Sequence, residues 1–220
     1  LMYIQGSSLK YAGNGNFYNA HSIKEVKGLN AIKNYFREKN LEISHWGIHD
    51  DIVFNYALNQ IKNFENKDKP YAVWINTVDN HPPNGLLSKN CKKISDHISS
   101  NHLKVVYCND VYLNHLINLI ISNDKTKNNL IVVHSDHLLM DSNVSRKYFK
   151  DQKKRKNLFL IIDPYKIKEK REISMKGNTL DIPATILDYL NGKNEMGLGV
   201  SLLQNDATII KSLSSNNQDI

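Results

Sequence analysis

Residues 130–133 (Leu-Ile-Val-Val) form an apolar run that stops abruptly on His134-Ser135-Asp136-His137, and the polar stretch 123–129 precedes it. A run this short, with sharp boundaries on both sides, reads as a buried strand. The pattern recurs at residues 1–5, 71–76 and 158–162. Between these runs the apolar residues switch to helical spacing, as in Leu29, Ile32, Tyr35 and Phe36, and in Val53, Phe54, Ala57, Leu58, Ile61 and Phe64. The spacing predicts helices over residues 29–39, from Asp50 or Asp51 to Phe64, and over residues 102–122, where Leu113, Leu116, Ile117, Ile120 and Ile121 share a face. A last helix opens at Asp181-Ile182-Pro183, with proline in its first turn and Gly192 placed to end it. Strands alternating with helices argue an α/β fold with a largely parallel sheet.

In such a sheet, ligands sit just beyond the carboxyl ends of the strands. Three polar loops follow predicted strands: the Gly- and Asn-rich stretch 6–16, the loop of Asp79, Asn80 and His81 stiffened by Pro82 and Pro83, and residues 134–137. In one parallel sheet they converge on one edge. Adjacent Asp136 and His137 at such an end can supply one oxygen and one imidazole nitrogen to a metal such as zinc or manganese. The competing reading is a loop in which Asp136 caps a helix and His137 is merely exposed. His81 has the chemistry to hydrogen-bond a phosphoryl oxygen or to act as a general acid; by itself it reads as a loop imidazole in water. Asp50-Asp51 reads first as a helix cap and second as a catalytic pair. There is no G-x-S-x-G elbow, no Walker loop and no H-E-x-x-H, and Gly13-x-Gly15 lacks the third glycine of a dinucleotide site.

The 220 residues suit one domain, or one with a small extension. No window approaches the roughly 18 apolar residues of a transmembrane helix, and the first ten residues lack the pattern of a signal peptide. The chain begins at Leu1, already inside an expected strand, so a fragment of a longer protein is expected. The formal charge of +7 is scattered, with one dense cluster at residues 147–156 that matches no nucleic-acid module and reads as a solvated face. Cys91 and Cys108, seventeen residues apart, are a disulfide outside the cytoplasm or two buried thiols, and the spacing leaves both open.

The order of motifs is similar to the C-terminal two-thirds of a sulfatase-type catalytic domain of the alkaline phosphatase superfamily. It resembles most the phosphoglycerol transferases that decorate osmoregulated periplasmic glucans, and more distantly the lipoteichoic acid synthases. The resemblance runs from about Tyr3 to Leu203. It is carried by Gln5-Gly6-x-x-Leu9-Lys10-Tyr11-Ala12-Gly13, Trp46-Gly47-Ile48-x-Asp50-Asp51, Asp79-x-His81-Pro82, Ser88-Lys89-x-Cys91, Ser135-Asp136-His137-Leu138, Asn157-Leu158-Phe159, Asn178-Thr179-x-Asp181 and Gly197-Leu198-Gly199-x-Ser201-Leu202.

The resemblance implies a three-layer α/β sandwich, N-terminally truncated here, with residues 1–205 as the C-terminal part of the catalytic domain and 206–220 as a polar tail. It implies that Asp136 and His137 are metal ligands, usually for manganese, and that His81 contacts the phosphate or glycerol of the substrate. Residues 5–14 match a substrate-binding loop. Where the synthases carry His, Asp, Trp and Arg, this chain has Gln5, Ser7, Ala12 and Asn14. Asn14 cannot replace a cationic phosphate clamp, which leaves Lys10 as the candidate. The cysteines match those of periplasmic relatives, which favours the disulfide. The family's nucleophilic threonine, first acidic metal ligand and membrane helices lie upstream of anything that aligns. Alone, then, the chain is expected to bind metal weakly and turn over nothing. In the complete enzyme, on the periplasmic face of the inner membrane, the metal-activated threonine would take phosphoglycerol from phosphatidylglycerol and pass it to a glucan hydroxyl or water. The implied partners are thus a phospholipid head group and an oligosaccharide acceptor, with no nucleic acid. The alternatives are a phosphoethanolamine transferase or sulfatase on the same metal core, or an inactive remnant or binding module.

Overall fold

β1 (Met2–Gln5) is buried along its whole length and lies between β2 (Glu25–Lys27) and β3 (Val73–Asn76), parallel to both. The computed structural model describes residues 1–37, 41–67, 69–149, 155–204 and 208–210. They divide into two units, Leu1–Asn129 with Leu139–Lys154, and Leu130–Leu138 with Arg155–Ile220. Most of the expected tail at 206–220, and residues 150–154 of the basic cluster, lie outside the described residues.

In the first unit the apolar residues of β1 meet helices on one side. Met2, Ile4, Ile32, Ile48, Val53, Tyr56 and Ala57 form its buried cluster. Ile32 comes from α2 (Leu29–Phe36), whose C-cap Arg37 turns left-handed at φ 50°, and residues 38 and 39 of the expected helix lie outside the described residues. Val53, Tyr56 and Ala57 come from α3 (Asp50–Glu65). The glycine-rich stretch expected as a loop is partly helical. A 3₁₀ turn (Tyr11–Gly13) passes through left-handed Gly13 into α1 (Asn14–Ala20). Neither Asp50 nor Asp51 caps α3: its N-cap is His49, which provides no side-chain cap. Asp51 accepts from Ile52 N and Asn90 Nδ2, each at 2.9 Å, and Asp50 turns away from its own helix.

α4 (Lys89–Ile94) is capped by Ser88, whose hydroxyl accepts from Cys91 N at 3.0 Å. It packs on α5 (Asn101–Asn123), and a disulfide joins Cys91 of α4 to Cys108 of α5, with Cα atoms 5.6 Å apart. A crosslink closing a loop of this length is worth about 3 kcal/mol in the chain-entropy model. α6 (Asn143–Tyr148) is held by a capping box between Ser142 and Ser145.

The second unit holds β4 (Ile131–His134) and β5 (Phe159–Ile162), which pair antiparallel, so the parallel arrangement is that of β1, β2 and β3. Ser135 extends the pairing: its N–H donates to Leu158 O at 3.0 Å and its hydroxyl accepts from Leu158 N at 2.7 Å. α7 (Asp181–Tyr189) and the hairpin of β6 (Glu195–Met196) and β7 (Gly199–Val200) are locked by Asp181. Its buried carboxylate accepts from Asn178 N at 2.8 Å and from Val200 N at 3.0 Å. The left-handed residue beyond α7 is Asn191 (φ 61°), where the sequence suggested Gly192. The Asn178-to-Asp181 and Gly197-to-Leu202 motifs are thus two halves of one structural clasp.

Candidate functional site

β1 and β3 are parallel neighbours, so the loops that follow them leave the same edge of the sheet. The β1 loop is braced from within. Gln5 is fully buried; its Oε1 accepts from Tyr3 OH at 2.7 Å and Asn14 Nδ2 at 2.9 Å, and its Nε2 donates to Ser8 O at 2.9 Å. Gln5 and Asn14 therefore hold the loop's shape, while buried Ser7 lines the space outside it and Lys10 stands exposed.

A cavity of about 330 Å³ opens there, with Ser7, Ser8 and Tyr11 on one side and Ser44, His45, Trp46 and Gly47 on the other. Its wall is the turn of residues 44–47, in which Ser44 and Gly47 exchange backbone bonds, and Ile48 N donates to Gly6 O at 3.0 Å. Tyr11 meets Trp46 edge-on with ring centroids 5.2 Å apart, and His81 stacks on Trp46 at 4.0 Å. His81 Nδ1 lies 2.8 Å from Pro82 O. A carbonyl only accepts, so Nδ1 carries the proton and neutral His81 presents Nε2 as a bare acceptor. It donates to a phosphoryl oxygen through Nε2 only as the imidazolium. Tyr11 and Trp46 carry no chemistry in the sequence that marks them as lining this site. The pairing of an aromatic with a turn glycine at Trp46-Gly47 was the available signal.

Two residues beyond Gly47, His49 Nδ1 lies 2.8 Å from Asp79 Oδ1, both side chains buried. Burial lowers the imidazole, but the hydrogen bond and charge of Asp79 outweigh it and the net shift is upward. Burial, then the charge of Asp79, push the Asp50 carboxyl up to about 7 against the pull of its three N–H donors. Both folded-state values lie above the unfolded ones. Each group therefore holds its proton more tightly when folded, and stability falls as pH rises through the folded values. Chemical denaturation is expected to show a lower midpoint at pH 8 than at pH 5, with most of the loss before pH 8.

In the second unit Asp136 and His137 follow β4 at the surface. His137 Nδ1 donates to Leu138 O at 2.7 Å, which leaves Nε2 unprotonated in the neutral ring, 3.4 Å from Asp136 Oδ2. With His137 protonated the contact is an exposed ion pair; with it neutral, Nε2 and the carboxylate are two acceptors of the kind a divalent metal takes. Two ligands each about 2.1 Å from a tetrahedral metal stand about 3.4 Å apart, and a backbone carbonyl behind a ligating imidazole is the usual second contact. The pair fits a divalent metal. Among the described residues no third His, Cys, Asp or Glu joins it.

The sulfatase family model matches residues 2–192. Phosphoglycerol transferase I of Shigella flexneri is 32% identical over 204 residues, 91% of this chain and 26% of the relative. Its namesake from Escherichia coli strain 55989 is 31% identical over the same share of each. The chain thus spans about a quarter of the length of these relatives. The lipoteichoic acid synthase LtaP from Listeria monocytogenes superposes with a TM-score of 0.71 at 18% identity, over 92% of this chain and 53% of that one. A protein in the alkaline phosphatase superfamily from Vibrio parahaemolyticus gives 0.66 at 20% identity, over 94% and 48%. These two likenesses show the fold.

Proposed function

The chain belongs to the sulfatase family, and from that premise we propose that it is part of a metal-dependent transferase moving phosphoglycerol from phosphatidylglycerol to a periplasmic glucan. The observation that carries this reading is the placement of His81. It is stacked on Trp46 beside a cavity of about 330 Å³, at the sheet edge where the loop from Gln5 to Asn14 leaves. The cavity is close to the lower bound for small-molecule sites, about 300 Å³, and suits a glycerol phosphate head group. In this proposal Ser7 and Lys10 contact the head group, Gln5 and Asn14 hold the loop to its shape, and His81, as the imidazolium, donates to the phosphate and steadies the transferring group. Asp136 and His137 hold a divalent metal, manganese by the family's habit. Such a metal neutralises phosphate charge and lowers the pKa of the nucleophile. The disulfide supports placement on the periplasmic face of the inner membrane, where the pairing persists. No helix among the described residues is long and apolar enough to cross a membrane.

The test is head-group transfer by the complete protein from vesicles of phosphatidylglycerol or of phosphatidylethanolamine, with a glucan acceptor. Phosphatidylglycerol is the expected donor, and His81→Ala should cut transfer by about 10²-fold, the lower range for a lost donor to transition-state charge. Preference for phosphatidylethanolamine, or transfer unaffected by His81→Ala, would overturn the proposal.

A further inference from the structure

Asp50 is fully buried, and none of its side-chain bonds serves the helix it begins. Its Oδ1 accepts from Val78 N at 2.8 Å, and its Oδ2 from Asp79 N at 3.0 Å and Asn109 Nδ2 at 2.9 Å. Asp79 answers in kind: its Oδ2 accepts from Asp50 N at 2.9 Å, and its Oδ1 meets His49. Four bonds therefore join residues 49–50 to residues 78–79. Trp46 lies shortly before the first pair and His81 shortly after the second, so the clasp joins the two segments that carry the stack. Two further bonds shape the His81 segment, from His81 N to Val78 O at 3.0 Å and from Leu86 N to Asp79 O at 2.8 Å. Asn109 fixes the clasp to α5, one residue from the Cys108 disulfide.

Burying a carboxylate is costly, and a helix start needs no such group. A role at the loop accounts for that expense. We propose that Asp50, held by Asn109, is a positioning residue for His81: it fixes the loop so that the ring keeps its Nδ1–H bond to Pro82 O and its place on Trp46. The inference rests on the reading of His81 as the group that contacts phosphate. Asp50 does not touch substrate.

The experiment uses this chain with labelled histidine and backbone nitrogen. In the unaltered protein the His81 ring should show a single Nδ1–H tautomer. Asp50→Asn leaves one side-chain oxygen for donors that now use two. It should produce exchange between tautomers, broadened amides at residues 78–81, and glycerol phosphate binding at least tenfold weaker. Asn109→Ala removes only the brace and should act in the same direction by a few-fold; it decides the matter where Asp50→Asn does not fold. Asp181→Asn, at a buried carboxylate of the second unit, should leave the His81 signals unmoved. A folded Asp50→Asn protein whose His81 keeps its single tautomer and sharp loop amides overturns the proposal, whatever its melting temperature. His81→Ala binding glycerol phosphate as well as the parent would instead defeat the functional reading, and the tautomer measurement would still decide the role of Asp50.

Discussion

Under the proposed function, replacing Asp136 with alanine should cut metal-dependent transfer by the complete protein by at least about 10²-fold and should leave the fold intact. The second half of that expectation follows from exposure. The Asp136 side chain is 79% exposed and that of His137 49%, and surface positions of this kind usually move stability by no more than about 0.5 kcal/mol. The first half follows from the 3.4 Å between Asp136 Oδ2 and His137 Nε2. In the proposed site the pair would act as a chelate with one anionic and one neutral donor, and without the carboxylate a lone imidazole would remain. Losing even a group that only orients a ligand costs about 10–100-fold in affinity or activity, and losing a ligand itself costs more. The chain alone gives a direct readout. Manganese should broaden the signals of residues 134–138 at concentrations well above those a complete site needs, and Asp136→Ala should remove that broadening. Asp136→Asn keeps the size and removes the charge, so it should behave nearly as badly. Broadening that survives in both variants would place the metal elsewhere.

The elements that were legible in the sequence share one property: enough length or apolar content to show a period. α3 and α5 span four turns or more, and β1, β3, β4 and β5 are short apolar runs cut off by polar residues. β2 was not legible because Glu25 and Lys27 frame a single apolar residue, Val26, on the outer strand of the sheet. α4 and α6 have six residues each, too few for a hydrophobic face, and their signals were the caps Ser88 and Ser142. In the candidate site, His81, Asp136 and His137 stood out because their residue types carry chemistry. Asp50 was misread because an acidic residue at a helix start is ordinarily a cap, whereas its partners lie 28, 29 and 59 residues away. Sequence proximity favoured the local explanation, and the fold supplied the distant one. Gln5 shows the converse: its position in the loop suggested substrate contact, but burial turns its amide inward onto Tyr3, Ser8 and Asn14.

Gly47→Ala should be the most disruptive single methyl in the first unit, costing about 2–6 kcal/mol. Two effects add. Gly47 sits at φ +138°, which L side chains rarely adopt, and such strain costs about 1–3 kcal/mol. A Cβ there would lie 2.7 Å from Gly6 C and Ser7 Cα, and closer still to Gly6 O. Those are backbone atoms at the end of a buried strand, so relief requires moving the chain, at a further 1–3 kcal/mol or so. The turn cannot slide away cheaply either, since Ile48 N donates to Gly6 O and Ser44 N to Gly47 O. At about 2–4 °C per kcal/mol for a chain of this size, the melting temperature should fall by roughly 10 °C. Gly197→Ala is the control: its φ is also positive, at +61°, but a Cβ there meets nothing within 4 Å, so only the backbone term remains, about 1–2 kcal/mol. The two variants also part on function. Trp46 precedes Gly47 and carries His81 on its ring, so displacing the turn should open that stack and weaken glycerol phosphate binding, while Gly197→Ala should leave binding unchanged. Equal losses of stability in the two variants would mean that the Gly6–Gly47 contact is not the constraint that sets the cavity wall.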